Sequence, residues 1–366
     1  MTVQASGVIP ILQKKIQQSI ADDISYAEFI ETALYDPVRG YYRRKSDKIG
    51  SSGDFYTSSS VHPVFAWVFA DYFYDYLTRC NAPYMICELG GGSGSFAKEV
   101  LSHLKLKHPE FYNELHYLYV DVSEDHLAKA QDQLASFQCV SFYQSTDKLK
   151  SAQGTINGVV FSNELLDAMP VHVVEKREGV INEVRVSIKS TEKLEEVIVH
   201  KVQPEIEEWL NWSGLNIQEG NRIEVPLKMN EWVDEMSALI ESGLLVTVDY
   251  GYSNAEWQEP SHRKGSLRGY HNHQLIENPL LNPGQMDLTT HIHIDSLLKK
   301  GKEVGFTTIS CTRQRDFLLE HGLFNFLYEH QNPDPFSKES RLNRAIRSFA
   351  TPGGISDSFH VIVQEC

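Results

Sequence analysis

Met85-Ile-Cys-Glu88-Leu-Gly90-Gly-Gly92-Ser-Gly94-Ser95 passes from a short apolar run into a glycine-rich turn, and the helical pattern SFAKEVLSHLKLK (95–107) follows at once. The same rhythm continues downstream. LHYLYVDV (115–122) reads as a strand and SEDHLAKAQDQLASF (123–137) as a helix, while CVSFYQS (139–145), INGVVFSN (156–163) and LLVTVDYG (244–251) read as further strands. Short strands separated by helices imply right-handed parallel crossovers, so the expected class is α/β with a doubly wound, Rossmann-like sheet. FTTISCTR (306–313) and SFHVIVQ (358–364) are expected to add an antiparallel pair at its edge.

Spacing separates the turn from better-known phosphate loops. A dinucleotide fingerprint starting at Gly90 needs glycine at 95, where Ser95 stands, and no Gly-Lys-Ser/Thr ending follows. What remains is E-x-G-x-G-x-G. The glycines allow close backbone approach, and Glu88 ahead of them favours a ligand carrying a cation. Asp121 ends the next strand, where doubly wound folds place a carboxylate for ribose hydroxyls. A cation together with a ribose points to S-adenosyl-L-methionine; a plain strand-to-helix turn is the alternative. The fourth core strand ends in Ser162-Asn163-Glu164-Leu-Leu-Asp167, where two carboxylates could orient a guanidinium. Equally, Glu164 and Asp167 could only complement the dipole of a following helix.

Outward from this centre the chain is less regular. Residues 9 to 35 predict two helices, the second opened by a Ser25–Glu28 capping box and closed by Asp36-Pro37. VFAWVFADYFYDYL (64–77) has the wide apolar stripe of a core helix. Residues 172–228 read as a hairpin plus a helix. Residues 252–290 read as a long loop that covers a site, rather than as core. The expected layout is therefore an N-terminal helical cap and loop (1–80), then a ligand-binding domain (81–366) with insertions at about 172–228 and 252–290.

Composition sets outer bounds. The 366 residues carry 34 Lys and Arg against 49 Asp and Glu, a net charge of −15, which argues against nonspecific nucleic-acid binding. Arg39, Arg43, Arg44, Lys45 and Lys48 are expected to form a solvated loop. Five cysteines without a CxxC pair suit a reducing compartment. Neither a secretory leader nor an 18-residue apolar run is read, so a cytoplasmic chain without membrane contact is expected. His271-Asn-His273 lacks the setting of an HNH nuclease, and nothing completes a zinc site around His291 and His293, so no metal is expected. Oligomeric state stays open, a homodimer included.

Several motifs in order resemble the MidA-like class I methyltransferases, whose mitochondrial members help assemble respiratory complex I by methylating a protein arginine. They are SYAEFIETALYDPVRGYY (25–42), GDFYTSSSVHPVF (53–65), ELGGGSGSFAKEVL (88–101), YVDVS (119–123), NELLDAMPVHVV (163–174), VDYGY (248–252), GSLRGYHNHQ (265–274) and PGQMDLTTHIHIDSL (283–297). The resemblance implies a seven-stranded methyltransferase sheet with a helical cap and an inserted substrate-facing subdomain. It implies that Glu88, Gly90, Gly92, Gly94 and Asp121 bind the cofactor, with Asp54 and Thr57 closing over it. Asn163, Glu164 and Asp167 would line the acceptor side. A small carboxylate is the alternative acceptor, bound by Arg268, Tyr270 and the basic loop near Arg43; Arg268, Tyr270 and His271 are the expected substrate residues. A catalytically silent assembly factor is the alternative from outside enzymology. Asp121 replaces the family's more usual Glu, and His293 stands where an acid is common.

Overall fold

The structure is a computed structural model that describes residues 7–44, 62–80, 83–190, 193–271, 274–329 and 334–366. In chain order the strands are β1 (Asp23–Ser25), β2 (Met85–Leu89), β3 (His116–Val120), β4 (Val140–Tyr143), β5 (Ile156–Asn163), β6 (His172–Arg177), β7 (Val180–Ser190), β8 (Lys193–Val199), β9 (Arg222–Val225), β10 (Ile240–Tyr252), β11 (Arg268–His271), β12 (Gln274–Ile276), β13 (Asp287–Thr289), β14 (Ile292–His293), β15 (Thr307–Arg313) and β16 (Phe359–Glu365). The chain forms two compact units that interleave in sequence. One comprises Met1–Phe55, Leu166–Val233 and Gly251–Lys300; the other comprises Tyr56–Leu165, Asp234–Tyr250 and Gly301–Cys366.

The second unit holds the sheet read from the strand–helix rhythm, in the order β15-β16-β10-β5-β2-β3-β4. β4, β3, β2, β5 and β10 run parallel, and β16 is antiparallel to both β10 and β15. The expected antiparallel pair is present, with β16 inside the sheet and β15 at the edge. The central strands of the sheet read as apolar runs because both their faces are buried: Ile86 and Cys87 of β2, Val159 and Val160 of β5, and Leu245 and Val246 of β10 are all inaccessible. The helix Val64–Arg79 supplies much of that cover: Val64, Phe65, Val68, Phe69, Phe73 and Leu77 are fully buried. Phe69 and Phe73 both rest on Phe161 of β5, with ring centroids 5.2 and 5.6 Å away. Each such ring removed from water contributes about 1.5–3 kcal/mol before entropy is counted. This helix, expected with the N-terminal cap, shares its core with the sheet instead.

In the first unit the helices Ile9–Gln18 and Tyr26–Tyr35 form as expected, and both halves of the Ser25–Glu28 capping box are made. Residues 172–228 depart from the hairpin-plus-helix reading. The β6–β7 hairpin and the helix Pro204–Ser213 are there, but β1, β8 and β9 extend the hairpin into a five-stranded sheet. KLEEVIV is too charged to show a strand's alternation, and only its pairing with β7 makes it one. Residues 252–290 are likewise not structureless, since β11 is flanked antiparallel by β12 and β13. Among the described residues no helix is long and apolar enough to cross a membrane.

Candidate active site

β2 and β5 are parallel neighbours, with β3 and β4 on one side and β10 on the other. Strand order reverses between them, and open α/β sheets bind ligands beyond the carboxyl ends at such a point. The glycine turn leaves β2 there. Gly90, Gly92 and Gly94 all have left-handed φ, at 69°, 63° and 85°, which side-chain-bearing residues adopt only at a cost. Gly91 is needed for a different reason. A Cβ there would lie 2.4 Å from the Tyr119 ring. The Tyr119 hydroxyl in turn donates to the Gly92 carbonyl at 2.8 Å. Gly94 opens the helix Ser95–Lys107 without any side-chain cap.

Two carboxylates stand at the turn. Asp121 Oδ2 accepts the Gly92 N–H at 2.9 Å, Oδ1 accepts the Ser123 N–H at 2.8 Å, and His126 Nδ1 lies 3.4 Å from Oδ2. A carboxylate has about four acceptor positions, so these contacts leave about one on Oδ1 for a ligand. Glu88 is 3% exposed and accepts from the Tyr117 hydroxyl at 2.8 Å. Burial pushes its carboxyl up to about 8; the Tyr117 bond opposes the shift and the charge of Asp121 adds to it. A nearby cation would reverse that shift. This donor and acceptor set therefore suits a ligand with positive charge and hydroxyl groups, as S-adenosyl-L-methionine has.

The end of β5 completes the neighbourhood. Ser162 pairs across to Leu89, and Asn163 donates from Nδ2 to Glu164 Oε1 at 3.0 Å. Ser162 Oγ and Asn163 Oδ1 are buried without a partner among the described residues. Glu164 has φ of 52°, unusual for glutamate, and its N–H donates to the Val248 carbonyl at 2.9 Å. No helix begins at residues 164–170, so the helix-dipole reading of Glu164 and Asp167 fails.

The remaining expected residues lie in the first unit, apart from Asp54 and Thr57, which fall outside the described residues. Asp167 is 5% exposed, and its carbonyl accepts the Thr290 N–H. Arg268 and Tyr270 lie on β11, opposite Thr289 and Asp287 of β13. His271 Nδ1 is 3.0 Å from the Gln285 carbonyl. His291 and His293 do not converge. His291 stacks on Tyr252 at 4.3 Å, whereas His293 is buried against Trp257 and Trp209. Burial lowers His293 to about 3, so it stays neutral and donates from Nε2 to the Glu224 carbonyl. It cannot replace an acid.

Sequence reading missed Tyr117, Tyr119 and His126. The signal was there for the tyrosines: residues two apart on a strand share a face, so Tyr117 and Tyr119 align on β3 with Asp121 just past its end, and Glu88 pairs with Tyr119.

Comparison with known proteins agrees with this geometry. Residues 68–312 match a family described as S-adenosyl-L-methionine-dependent methyltransferase. The mitochondrial protein arginine methyltransferase NDUFAF7 of Danio rerio is 26% identical over 82% of this chain and 73% of its own. Its Rattus norvegicus counterpart is 24% identical over 98% of this chain and 84% of its own. A Burkholderia thailandensis protein crystallised with S-adenosyl-homocysteine shares the fold, with a TM-score of 0.86, 24% identity, and cover of 98% of this chain and 92% of that one. With a doubly wound sheet, a glycine turn at its reversal point and a match across two-thirds of its length, this chain belongs to that family and is an S-adenosyl-L-methionine-dependent methyltransferase.

Proposed function

We propose that the acceptor is an arginine side chain of a protein. Two relatives covering most of the chain are named protein arginine methyltransferases. The observation that carries the reading is Glu164, held at φ of 52° at the end of β5 with the Asn163 amide on its carboxylate. Strain of this kind persists where the surroundings over-determine it, commonly at active sites. In this reading Glu88, Gly90, Gly92, Gly94 and Asp121 hold the cofactor. Asn163 and Glu164 face the acceptor. The bound cofactor supplies an electrophilic methyl group on a sulfonium, so the chain's own residues contribute alignment and charge. Arginine is cationic at every physiological pH, and carboxylates that localise its charge expose one nitrogen to the methyl group.

The test is incubation with methyl-labelled cofactor and whole-cell lysate, followed by hydrolysis of the protein fraction. Label in methylarginine, lost in Glu164→Gln, supports the proposal. Label confined to small molecules, or to other amino acids, overturns it.

A further inference from the structure

We propose that the protein docks on an anionic membrane surface through a patch formed by the turn Leu323–Phe326 and the helix Lys338–Ala350, both in the second unit. The helix is amphipathic. Ile346 and Phe349 are buried, and Leu342 packs on the same core. Lys338, Arg341, Arg344 and Arg347 are exposed, and the three arginines, spaced three apart, run along the face opposite Ile346 and Phe349. Among the described residues none of these four bases meets a carboxylate. In the first unit, by contrast, Arg185 pairs with Asp23 and Glu183, and Arg222 with Glu175 and Glu196. In a chain of net charge −15, an arginine stripe without acids suits a partner that brings its own negative charge.

Apolar side chains stand out beside the stripe. In the turn Leu323 is buried and the Phe326 ring lies 5.6 Å from that of Trp67, whereas Phe324 and Leu327 are exposed. Residues three apart in a 3-10 turn eclipse, so Phe324 and Leu327 share one side. Tyr328 follows, 58% exposed, with its backbone clasped by Asn343 of the helix: its N–H donates to Oδ1 at 3.0 Å, and Nδ2 donates to its carbonyl at 2.8 Å. Phe336, 74% exposed, stands just before the N-cap Ser337, and Arg344 donates to the Pro335 carbonyl. These bonds make the apolar tips and the arginines one surface. Of the acids nearby, Asp334 turns its Oδ1 to the Phe336 N–H at 2.8 Å, Glu339 shares the face of Ile346 seven residues on, and Glu329 stays beside Tyr328. Separate protruding apolar side chains suit a partner that takes them without preformed pockets. Fluid acyl chains do so, while the arginines meet lipid phosphates. Duplex nucleic acid offers the rings no apolar volume and is repelled by the rest of an acidic chain. Hydropathy windows find spanning helices and are blind to such a surface.

Neither cofactor nor methyl acceptor enters this binding, and the test needs neither. It is flotation of the full chain with vesicles of phosphatidylcholine alone or with about 30% phosphatidylglycerol. Binding should be confined to the anionic vesicles and lost as salt rises from about 0.05 to about 0.5 M. Each arginine contributes about fivefold at such a surface, so the triple change Arg341→Gln, Arg344→Gln, Arg347→Gln should lower the partition coefficient about a hundredfold. Phe336→Ser should lower it about tenfold. All four side chains are exposed, and unchanged S-adenosylhomocysteine affinity shows that the variants fold. Equal binding to neutral vesicles, or folded variants that bind anionic vesicles like wild type, overturns the proposal. Absence of vesicle binding at low salt overturns it too, and retention on immobilised poly-glutamate, lost in the triple variant, would then give the patch to an acidic protein.

Discussion

Glu88 and Glu224 are both buried glutamates whose carboxyls burial pushes upward, yet their surroundings differ in one respect. Glu224 receives three donors from the Ser266–Leu267 segment, and these oppose its shift. Among the described residues Glu88 receives a single hydroxyl and faces Asp121 besides. A buried carboxylate that is fully bonded clasps a loop. One left short of partners is suited to a cationic ligand.

The largest effect should come from the clasp. Glu224→Ala leaves two N–H groups and a hydroxyl buried without an acceptor, and should cost on the order of 3–5 kcal/mol of stability, read by denaturant unfolding of the first unit. Equal loss of stability in Glu88→Ala would break the distinction. Next comes chemistry. Glu164→Gln keeps size and most bonding but loses charge, so turnover should fall by about 2–4 kcal/mol, roughly 30- to 1,000-fold, while S-adenosylhomocysteine affinity holds. A gain of activity on a small organic acid would instead favour O-methylation. Smaller again is Asp121→Ala, with roughly tenfold to a hundredfold loss of affinity by calorimetry, since its carboxylate braces the turn and has about one acceptor position left for the ribose.

The smallest effect is a pH dependence. Native Glu88 keeps its proton up to about pH 8, whereas the unfolded chain loses it near 4.5. Between those values the native state binds more protons, so stability of the ligand-free protein falls as pH rises through that window. Glu88→Gln should flatten the Glu88 part of this fall. Binding of S-adenosyl-L-methionine at pH 7 should release a proton from wild type and not from the variant, measured by calorimetry in buffers of different ionisation enthalpy. Unchanged proton release in Glu88→Gln would remove Glu88 from the cation's side of the site.

Legibility followed the range of the interactions. The helix Val64–Arg79, the strands β2, β3 and β5, the Ser25–Glu28 box and the glycine turn were readable because neighbours in sequence decide them: apolar period, cap chemistry and left-handed φ are local. The sheets built on residues 172–228 and 252–290 were not: β1, β9 and β13 owe their existence to partners tens of residues or more away, while β8 and β12 pair with the strand just before them but are too charged or too short to show it.

At the site the division is the same. Sequence alone determined the residue types that surround the cofactor turn, Glu88, Gly90, Gly92, Gly94 and Asp121, because one strand–turn–helix unit and the next strand carry them all. Only tertiary structure decided how they are charged and bonded. It buried Glu88 under a tyrosine of the adjacent strand, spent most of Asp121 on backbone N–H groups, turned Glu164 into a left-handed conformation, and set Arg268 opposite Thr289. Burial and pairing are sums over neighbours distant in the chain, and no local pattern encodes them.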